Sequence, residues 1–118
     1  MKDLRRKLGD HGEDLAAAAL KKRGYKILER NYVTPLGEID LVARQGRYLV
    51  FVEVKTRKTA AFGSPQEAVH PKKQARMRRL ADYYLKQKRL ENALVRFDVV
   101  GIAMADGGCR VEIIPEAF

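Results

Sequence analysis

Residues 37–56 constrain the fold more than any other part of the chain. They contain two runs of β-branched and apolar residues on either side of a polar, glycine-containing pair at residues 45–46. Such runs around a tight turn predict two antiparallel β-strands. Asp40 interrupts the first run, and Glu53 and Lys55 interrupt the second. Because charges in core strands are costly unless they are paired or bind a cation, these three residues are the first candidates for a functional site.

The turn at residues 45–46 also predicts which side chains share a face of the sheet. A two-residue loop there places Asp40 opposite Phe51, and it places Glu38 opposite Glu53. Side chains alternate between faces along a strand, and directly opposed residues share a face. We therefore expect one face to build core and the other to build a site. The site face holds Glu38, Asp40, Phe51, Glu53 and Lys55, and the apolar face holds Ile39, Leu41, Val50, Val52 and Val54.

Carboxylates that share a face repel one another and favour a cation nearby. Two unit charges about 4 Å apart repel by roughly 1–4 kcal/mol near a protein surface. Mg²⁺ binds one or two carboxylates together with water and substrate phosphates. The ammonium of Lys55 beside such an ion suits metal-assisted phosphodiester hydrolysis, because it can hold the attacking water or steady charge on phosphate. The alternative is a solvated ion pair on an open sheet face.

Length and charge set the broader limits. A chain of 118 residues is typical of a single domain, which we place at residues 1–118. The net charge of +9 indicates a polyanionic partner, although it fits nucleic acid, a ribosome, an anionic membrane surface or simple solubility. The lone cysteine, Cys109, excludes an intramolecular disulfide. No apolar run approaches the length of a membrane span and the start is not signal-like, so we expect a cytoplasmic protein that does not enter a membrane.

Helices are predicted before and after the two organising strands in the chain. Residues 1–23 are rich in alanine and leucine, and Gly24 is a plausible C-cap. Ser64 and Glu67 predict a capping box at the start of a short helix, and a long helix is expected over residues 70–88. The apolar face of that long helix comprises Met77, Leu80, Ala81, Tyr84 and Leu85.

Basic residues lie in two places where phosphate contacts are plausible. Arg57 and Lys58 begin the loop that follows the second organising strand, and loops at strand ends often carry function. Lys72, Lys73 and Arg76 lie at the N-terminal end of the long helix, where the helix dipole favours anions. The alternative for both groups is an ordinary solvated surface.

Two further carboxylates are weaker candidates. Strands are predicted at residues 25–33, 94–104 and 109–114. Asp98 lies within the second of these, where we expect a carboxylate at the strand end or sheet edge rather than a ligand. Glu13 lies near the start of the main run of the first helix, where the dipole favours a carboxylate. A third carboxylate that reaches the site is the alternative for Glu13.

The same residues also carry a resemblance to a known family. The chain resembles the small bacterial YraN family, which is placed with the PD-(D/E)XK endonuclease-like proteins. The matching stretches are residues 12–13 with the alanine-rich helix, 24–31, 37–41, 50–57, 62–69 and 96–100. Together they cover most of the chain and are more specific than the short charged motif.

The resemblance implies a fold, a metal and a set of roles. The fold is α/β and restriction-endonuclease-like, with a central mixed sheet of about five strands flanked by helices. Asp40 and Glu53 are the implied ligands of Mg²⁺ or Mn²⁺, and Lys55 is the implied catalytic lysine. The similar archaeal Holliday-junction resolvases add a glutamate from the N-terminal helix, which Glu13 matches, and they are dimers, which extends the expectation to a homodimer. Ile39 stands where the proline of the motif's name would lie.

Two functions of different classes follow. The leading hypothesis is a Mg²⁺- or Mn²⁺-dependent nuclease that hydrolyses phosphodiester bonds in DNA, with branched or otherwise structured DNA as one substrate class. The other is a non-catalytic nucleic-acid-binding or adaptor module that keeps the nuclease fold. A binding module predicts salt-sensitive binding that chelators do not affect. Carboxylates near phosphate give a pure binder no advantage, so the charged set favours the enzyme.

Overall fold

A mixed β-sheet between two helices forms the described part of the molecule. The structure is a computed structural model that describes residues 4–57, 70–105 and 108–118. In chain order the elements are α1 (Leu4–Lys22), β1 (Lys26–Thr34), β2 (Gly37–Gln45), β3 (Tyr48–Arg57), α2 (Pro71–Gln87), β4 (Leu94–Ala105) and β5 (Gly108–Ile114).

The five strands lie in the order β1-β2-β3-β4-β5. All neighbouring strands are antiparallel except β3 and β4, which are parallel. A parallel pair needs a crossover connection, and α2 lies in the connection from β3 to β4. The predicted α/β class with a mixed five-stranded sheet flanked by helices is confirmed, and the architecture is consistent with a restriction-endonuclease-like fold.

Both faces of the sheet build core, which corrects the expectation of one core face and one site face. Leu41, Val50 and Val52 pack with Ala16 and Leu20 of α1 on one side. On the other side, a second cluster forms beneath α2. Its buried members are Ile39, Val42, Leu49, Phe51, Leu80, Ala81, Tyr84 and Leu85. Phe51, predicted on the site face, is therefore a core residue, because α2 covers the central strands there and buries it to 1% exposure.

The register between β2 and β3 differs from the predicted one by two residues. Gln45 pairs with Tyr48, and Leu41 pairs with Val52. The loop is therefore Gly46 and Arg47, and Gly46 has the positive φ of +58° that a type II′ turn needs at its first central position. A shift of two residues changes every partner but leaves the faces unchanged, because side chains alternate with period two.

Ile39 lies on the opposite face of the sheet from the predicted one. The pairing of β2 with β3 ends at Leu41 and Val52. Beyond that point, the Val54 N–H donates to the Asp40 carboxylate rather than to the main chain of β2. Side chains need not alternate strictly between the two faces where the β2–β3 hydrogen-bond ladder is interrupted, and Ile39 packs on the α2 side. The cavity described below opens at this place.

The helix boundaries follow the sequence signals. α1 ends just before Gly24, which has φ +88° and donates its N–H to the Lys21 carbonyl. α2 begins after His70, whose Nδ1 accepts from the Lys72 N–H at 3.2 Å, as an N-cap side chain does. The predicted apolar face of α2 is buried as expected. The prediction of a capping box at Ser64 and Glu67 falls outside the described residues.

Neither helix in the described part of the chain has both the length and the apolar character that a membrane span requires.

A close approach between α1 and β3 gives the first testable prediction. A Cβ added at Gly12 would lie 2.4 Å from Thr56 Oγ1, and Gly12 is buried. Gly12→Ala should therefore lower the free energy of unfolding by about 1 kcal/mol, although alanine is the better helix former by a similar amount. In a Thr56→Ala background the same change should become neutral or stabilising. Urea unfolding of the four proteins in this cycle checks the prediction, and equal effects of Gly12→Ala in both backgrounds would contradict it.

Candidate metal and phosphate site

A cavity of about 260 Å³ opens between β2, β3 and α2 at the point where the β2–β3 ladder ends. Its walls combine carboxylates, cationic side chains and an apolar floor. The lining residues are Glu38, Ile39 and Asp40 from β2, Phe51, Val52 and Glu53 from β3, and Lys73, Arg76, Met77 and Leu80 from α2. The cavity therefore brings two of the predicted metal ligands together with two of the predicted phosphate contacts.

Asp40 is fixed at the wall of this cavity by the neighbouring strand. Its Oδ2 accepts a hydrogen bond from the Val54 N–H at 2.9 Å, and the residue is half-buried. Because β3 itself supplies the donor, the carboxylate is held between the two strands. The Asp40 side chain lines the cavity, so its other carboxylate oxygen could bind a cation there.

The environment of Asp40 opposes its negative charge. Its pKa is raised from the ordinary 3.8 to about 6. Burial is the main cause, the charges of Glu53, Glu13 and Glu38 act in the same direction, and the hydrogen bond from the Val54 N–H acts against them. The influence of Glu13 shows that α1 brings this carboxylate within electrostatic reach of Asp40. A bound cation would reverse the balance by favouring the ionised form.

Glu53 is engaged by a lysine from α2. The Lys73 ammonium forms an ion pair with Glu53 Oε1. The Glu53 side chain is only 13% exposed, whereas that of Lys73 is 40% exposed. The sequence predicted both residues in the site but in separate roles, and it did not predict their contact. No local pattern places the first turn of α2 over β3, so only the crossover connection brings the two together.

Arg76 lies one helical turn beyond Lys73 and packs against the start of β2. A Cβ added at Gly37, which has φ +143°, would lie 2.7 Å from a guanidinium nitrogen of Arg76. Glycine at that position therefore serves both the backbone conformation and the close approach of the arginine. Lys72 is exposed beside Lys73 and does not line the cavity.

The other predicted residues lie farther along β3 or outside the part of the chain that the structure describes. Lys55 is half-buried, and its backbone pairs with Gly101 of β4. Strand alternation places it on the same face as Glu53, about 7 Å farther along the strand and beyond the cavity wall. The side chain of Arg57 and the whole of Lys58 lie outside the described part of the chain.

Comparison with known proteins places this site within a recognised family. A profile of the Uncharacterised protein family UPF0102 matches residues 12–102, which include every candidate metal ligand and Lys55. The chain belongs to this family. The UPF0102 protein of Moorella thermoacetica is 51% identical over 116 residues, which cover 97% of each chain.

Other UPF0102 relatives match over a similar length. That of Syntrophomonas wolfei is 48% identical over 98% of this chain and 100% of its own, and that of Syntrophus aciditrophicus is 49% identical over 93% and 87%. The resemblance to the YraN family that the motifs predict is confirmed.

The donor set of this UPF0102 site fits a hard divalent cation that shares its shell with water and phosphate. Carboxylate oxygens are the ligands that Mg²⁺ and Mn²⁺ prefer. In the described part of the chain, no three histidine, cysteine or carboxylate side chains form a ready-made metal cage. Mg²⁺ rarely uses such a cage, because it keeps several waters and binds through one or two carboxylates. Asp40 and Glu53 supply that number.

Asp98 is not part of the site, and the expectation of a carboxylate at a strand end or sheet edge is wrong for this UPF0102 chain. Asp98 is 0% exposed on β4, between β3 and β5. Arg96 donates to both of its oxygens, at 2.9 and 2.8 Å. The Tyr25 hydroxyl and the Glu116 N–H donate at 2.7 and 3.1 Å. With both oxygens occupied, Asp98 anchors the fold. The arginine two residues before it, on the same face of the strand, is the sequence signal that was missed.

Proposed function

We propose that this UPF0102 protein is a metal-dependent nuclease that hydrolyses phosphodiester bonds in DNA, with branched or otherwise structured DNA as one substrate class. The observation that carries the proposal is the shared cavity at the end of the β2–β3 ladder. There, Asp40 and Glu53 from adjacent strands lie beside Lys73 and Arg76, and burial together with the negative charge of Glu53 raises the pKa of Asp40. Such crowding of like charges in a cleft is typical of sites that bind a cation.

Each residue has a distinct role in this proposal. Asp40 and Glu53 would hold Mg²⁺ or Mn²⁺, and Glu13 would complete the shell directly or through water. When bound, the ion polarises the phosphoryl oxygen and activates water for attack. The Lys55 ammonium would orient the attacking water, since it follows Glu53 on the same face of β3. Arg76 would hold a backbone phosphate at the cavity mouth.

The decisive experiment is a divalent-ion titration against DNA of different shapes. Purified protein is incubated with single-stranded, duplex and four-way DNA, with Mg²⁺ or Mn²⁺ and with EDTA. We expect cleavage only with the ion, and a fall of about 10²-fold or more in rate for Lys55→Ala, because the positioned ammonium is lost. Lys86→Ala, an exposed lysine in the last turn of α2, serves as the matched control. Cleavage that persists unchanged in Lys55→Ala would indicate a contaminating nuclease.

Binding without chemistry is the other outcome of this experiment. If the protein binds DNA with a strong dependence on salt but never cleaves it under any ion, the adaptor hypothesis replaces the nuclease. In that case, the loss of Asp40 should leave binding unchanged, while the loss of Lys72, Lys73 or Arg76 should weaken it.

Arg76 gives a prediction that holds for nuclease and adaptor alike. Arg76→Gln should weaken DNA binding to a similar degree for every sequence, because phosphate contacts position the duplex without reading bases. The slope of log K against log salt should become shallower by about one. Fluorescence anisotropy at several salt concentrations measures both quantities. Lys86→Gln lies about 15 Å away along the same helix and should change neither.

A further inference from the structure

The ion pair between Lys73 and Glu53 places a lysine ammonium at the site where the proposed cation would bind. The Lys73 ammonium contacts Glu53 Oε1, and both residues line the cavity that contains Asp40. In the free protein, Lys73 therefore supplies positive charge to a carboxylate pair that would otherwise repel. A cation that binds Glu53 must compete with this ammonium for the same oxygens.

Lys73 is also placed to move. It lies in the first turn of α2, and its side chain is 40% exposed, in contrast to the nearly buried side chain of Glu53. A lysine ammonium is a compact charge on a flexible four-carbon stem, so it can exchange one anionic partner for another without a change in the backbone. The positive end of the α2 dipole favours phosphate at this end of the helix as well.

From these contacts we infer that Lys73 couples ion binding to nucleic-acid binding. In the free protein it holds Glu53, and in the complex it transfers to a backbone phosphate, which leaves Glu53 to the cation. The inference rests on the proposed function. It predicts that DNA raises the ion affinity of the site and that the ion raises the DNA affinity by the same factor, because coupling between two binding sites is reciprocal.

The first measurement concerns the ion alone. Mn²⁺ is titrated into the free protein and followed by electron paramagnetic resonance. Lys73→Met removes the competing ammonium, so we expect Mn²⁺ to bind about three- to tenfold more tightly than it does in the wild type. Lys86→Met, which removes the same charge from an exposed residue in the last turn of α2, should change the affinity by less than twofold. A purely structural role for Lys73 would not raise ion affinity, and circular dichroism confirms that each variant is folded.

The second measurement gives the coupling itself. Mn²⁺ affinity is compared for free and DNA-bound protein in a Lys55→Ala background, in which the four-way DNA stays intact under the proposed function. In this background we expect DNA to raise the Mn²⁺ affinity, and Lys73→Met should reduce that gain about three- to tenfold, because only direct attraction between ion and phosphate remains. DNA affinity measured with and without Mn²⁺ must give the same factor.

The outcomes separate the two proposals. If no variant binds Mn²⁺ with or without DNA, the nuclease proposal fails. If Mn²⁺ binds but with equal affinity in the wild type and Lys73→Met, and with an undiminished gain from DNA, Lys73 does not couple the two and the nuclease proposal still stands. Tighter ion binding together with a smaller gain from DNA supports the role of Lys73.

Discussion

Replacing Asp40 by asparagine should sharply reduce ion-dependent cleavage and at the same time stabilise the metal-free protein at neutral pH. The amide keeps an oxygen that can accept the Val54 N–H, so the local hydrogen bond survives. It removes the charge that burial and the surrounding carboxylates oppose. Cleavage should fall by about 10²-fold or more, since a neutral amide is a poor ligand for a hard cation. Residues that serve a site at the expense of stability commonly behave in this way.

The sign of the pH dependence follows from the raised pKa. Asp40 has a pKa of about 6 in the folded protein and an ordinary value of 3.8, so the folded state holds its proton more tightly than the unfolded state. The group therefore contributes most to stability below pH 3.8, and its contribution falls as the pH rises through about 6. Asp40→Asn should match the wild type at the acidic end and exceed it by about 1–3 kcal/mol above pH 6.

Urea unfolding in EDTA at pH 4 and pH 7.5 tests this prediction. Asp82→Asn, at an exposed aspartate of α2, is the matched control and should change stability by less than about 0.5 kcal/mol at either pH. A destabilised Asp40→Asn protein at pH 7.5 would show that the Asp40 charge has a compensating partner in the fold.

Asp98→Ala should be among the most destabilising single substitutions in the chain. The change leaves the Arg96 guanidinium, whose side chain is 12% exposed, without its carboxylate. It also removes the acceptor of the Tyr25 hydroxyl and of the Glu116 N–H. Removing one partner of a buried ion pair typically costs about 3–5 kcal/mol, because the remaining charge stays buried without compensation. That cost is a large fraction of the stability of a small domain.

An exposed ion pair in the same protein provides the comparison. Arg30 and Asp14 pair at the surface, with side chains 41% and 64% exposed. Asp14→Ala should therefore cost at most about 1 kcal/mol. Thermal and urea unfolding of both variants gives the two costs directly. The double variant Arg96→Met/Asp98→Leu should recover part of the loss, because apolar residues can replace a buried pair. A cost for Asp98→Ala no larger than that for Asp14→Ala would rule out an anchoring role.

The Asp98 cluster also explains an unusual tyrosine. Burial raises the pKa of Tyr25 to about 12, and its hydrogen bond to Asp98 acts in the same direction. Arg96 stacks over the rings of Tyr25 and Tyr48, with its guanidinium carbon 5.7 and 5.4 Å from the ring centroids. The cluster thus joins the segment between α1 and β1 to β3, β4 and the C-terminal residues.

Local sequence determined the elements and the chemistry of their residues. Gly24 ends α1, His70 and Pro71 begin α2, and the apolar positions of α2 that the spacing selected are the buried ones. These features depend on caps, turns and periodicity within a few residues, so a single sequence is enough to predict them. The candidate carboxylates were visible for the same reason, because Asp40 and Glu53 interrupt apolar runs.

Tertiary structure decided which residues meet. Three features join segments far apart in the chain: the burial of Phe51 beneath α2, the contact of Lys73 with Glu53 and the enclosure of Asp98. The physical reason is that local propensities act over one or two turns, whereas pairing across strands and packing across layers depend on how the whole sheet excludes water. The sequence by itself supplied the charges, and only the packed sheet and its crossover helix decided which of them face one another.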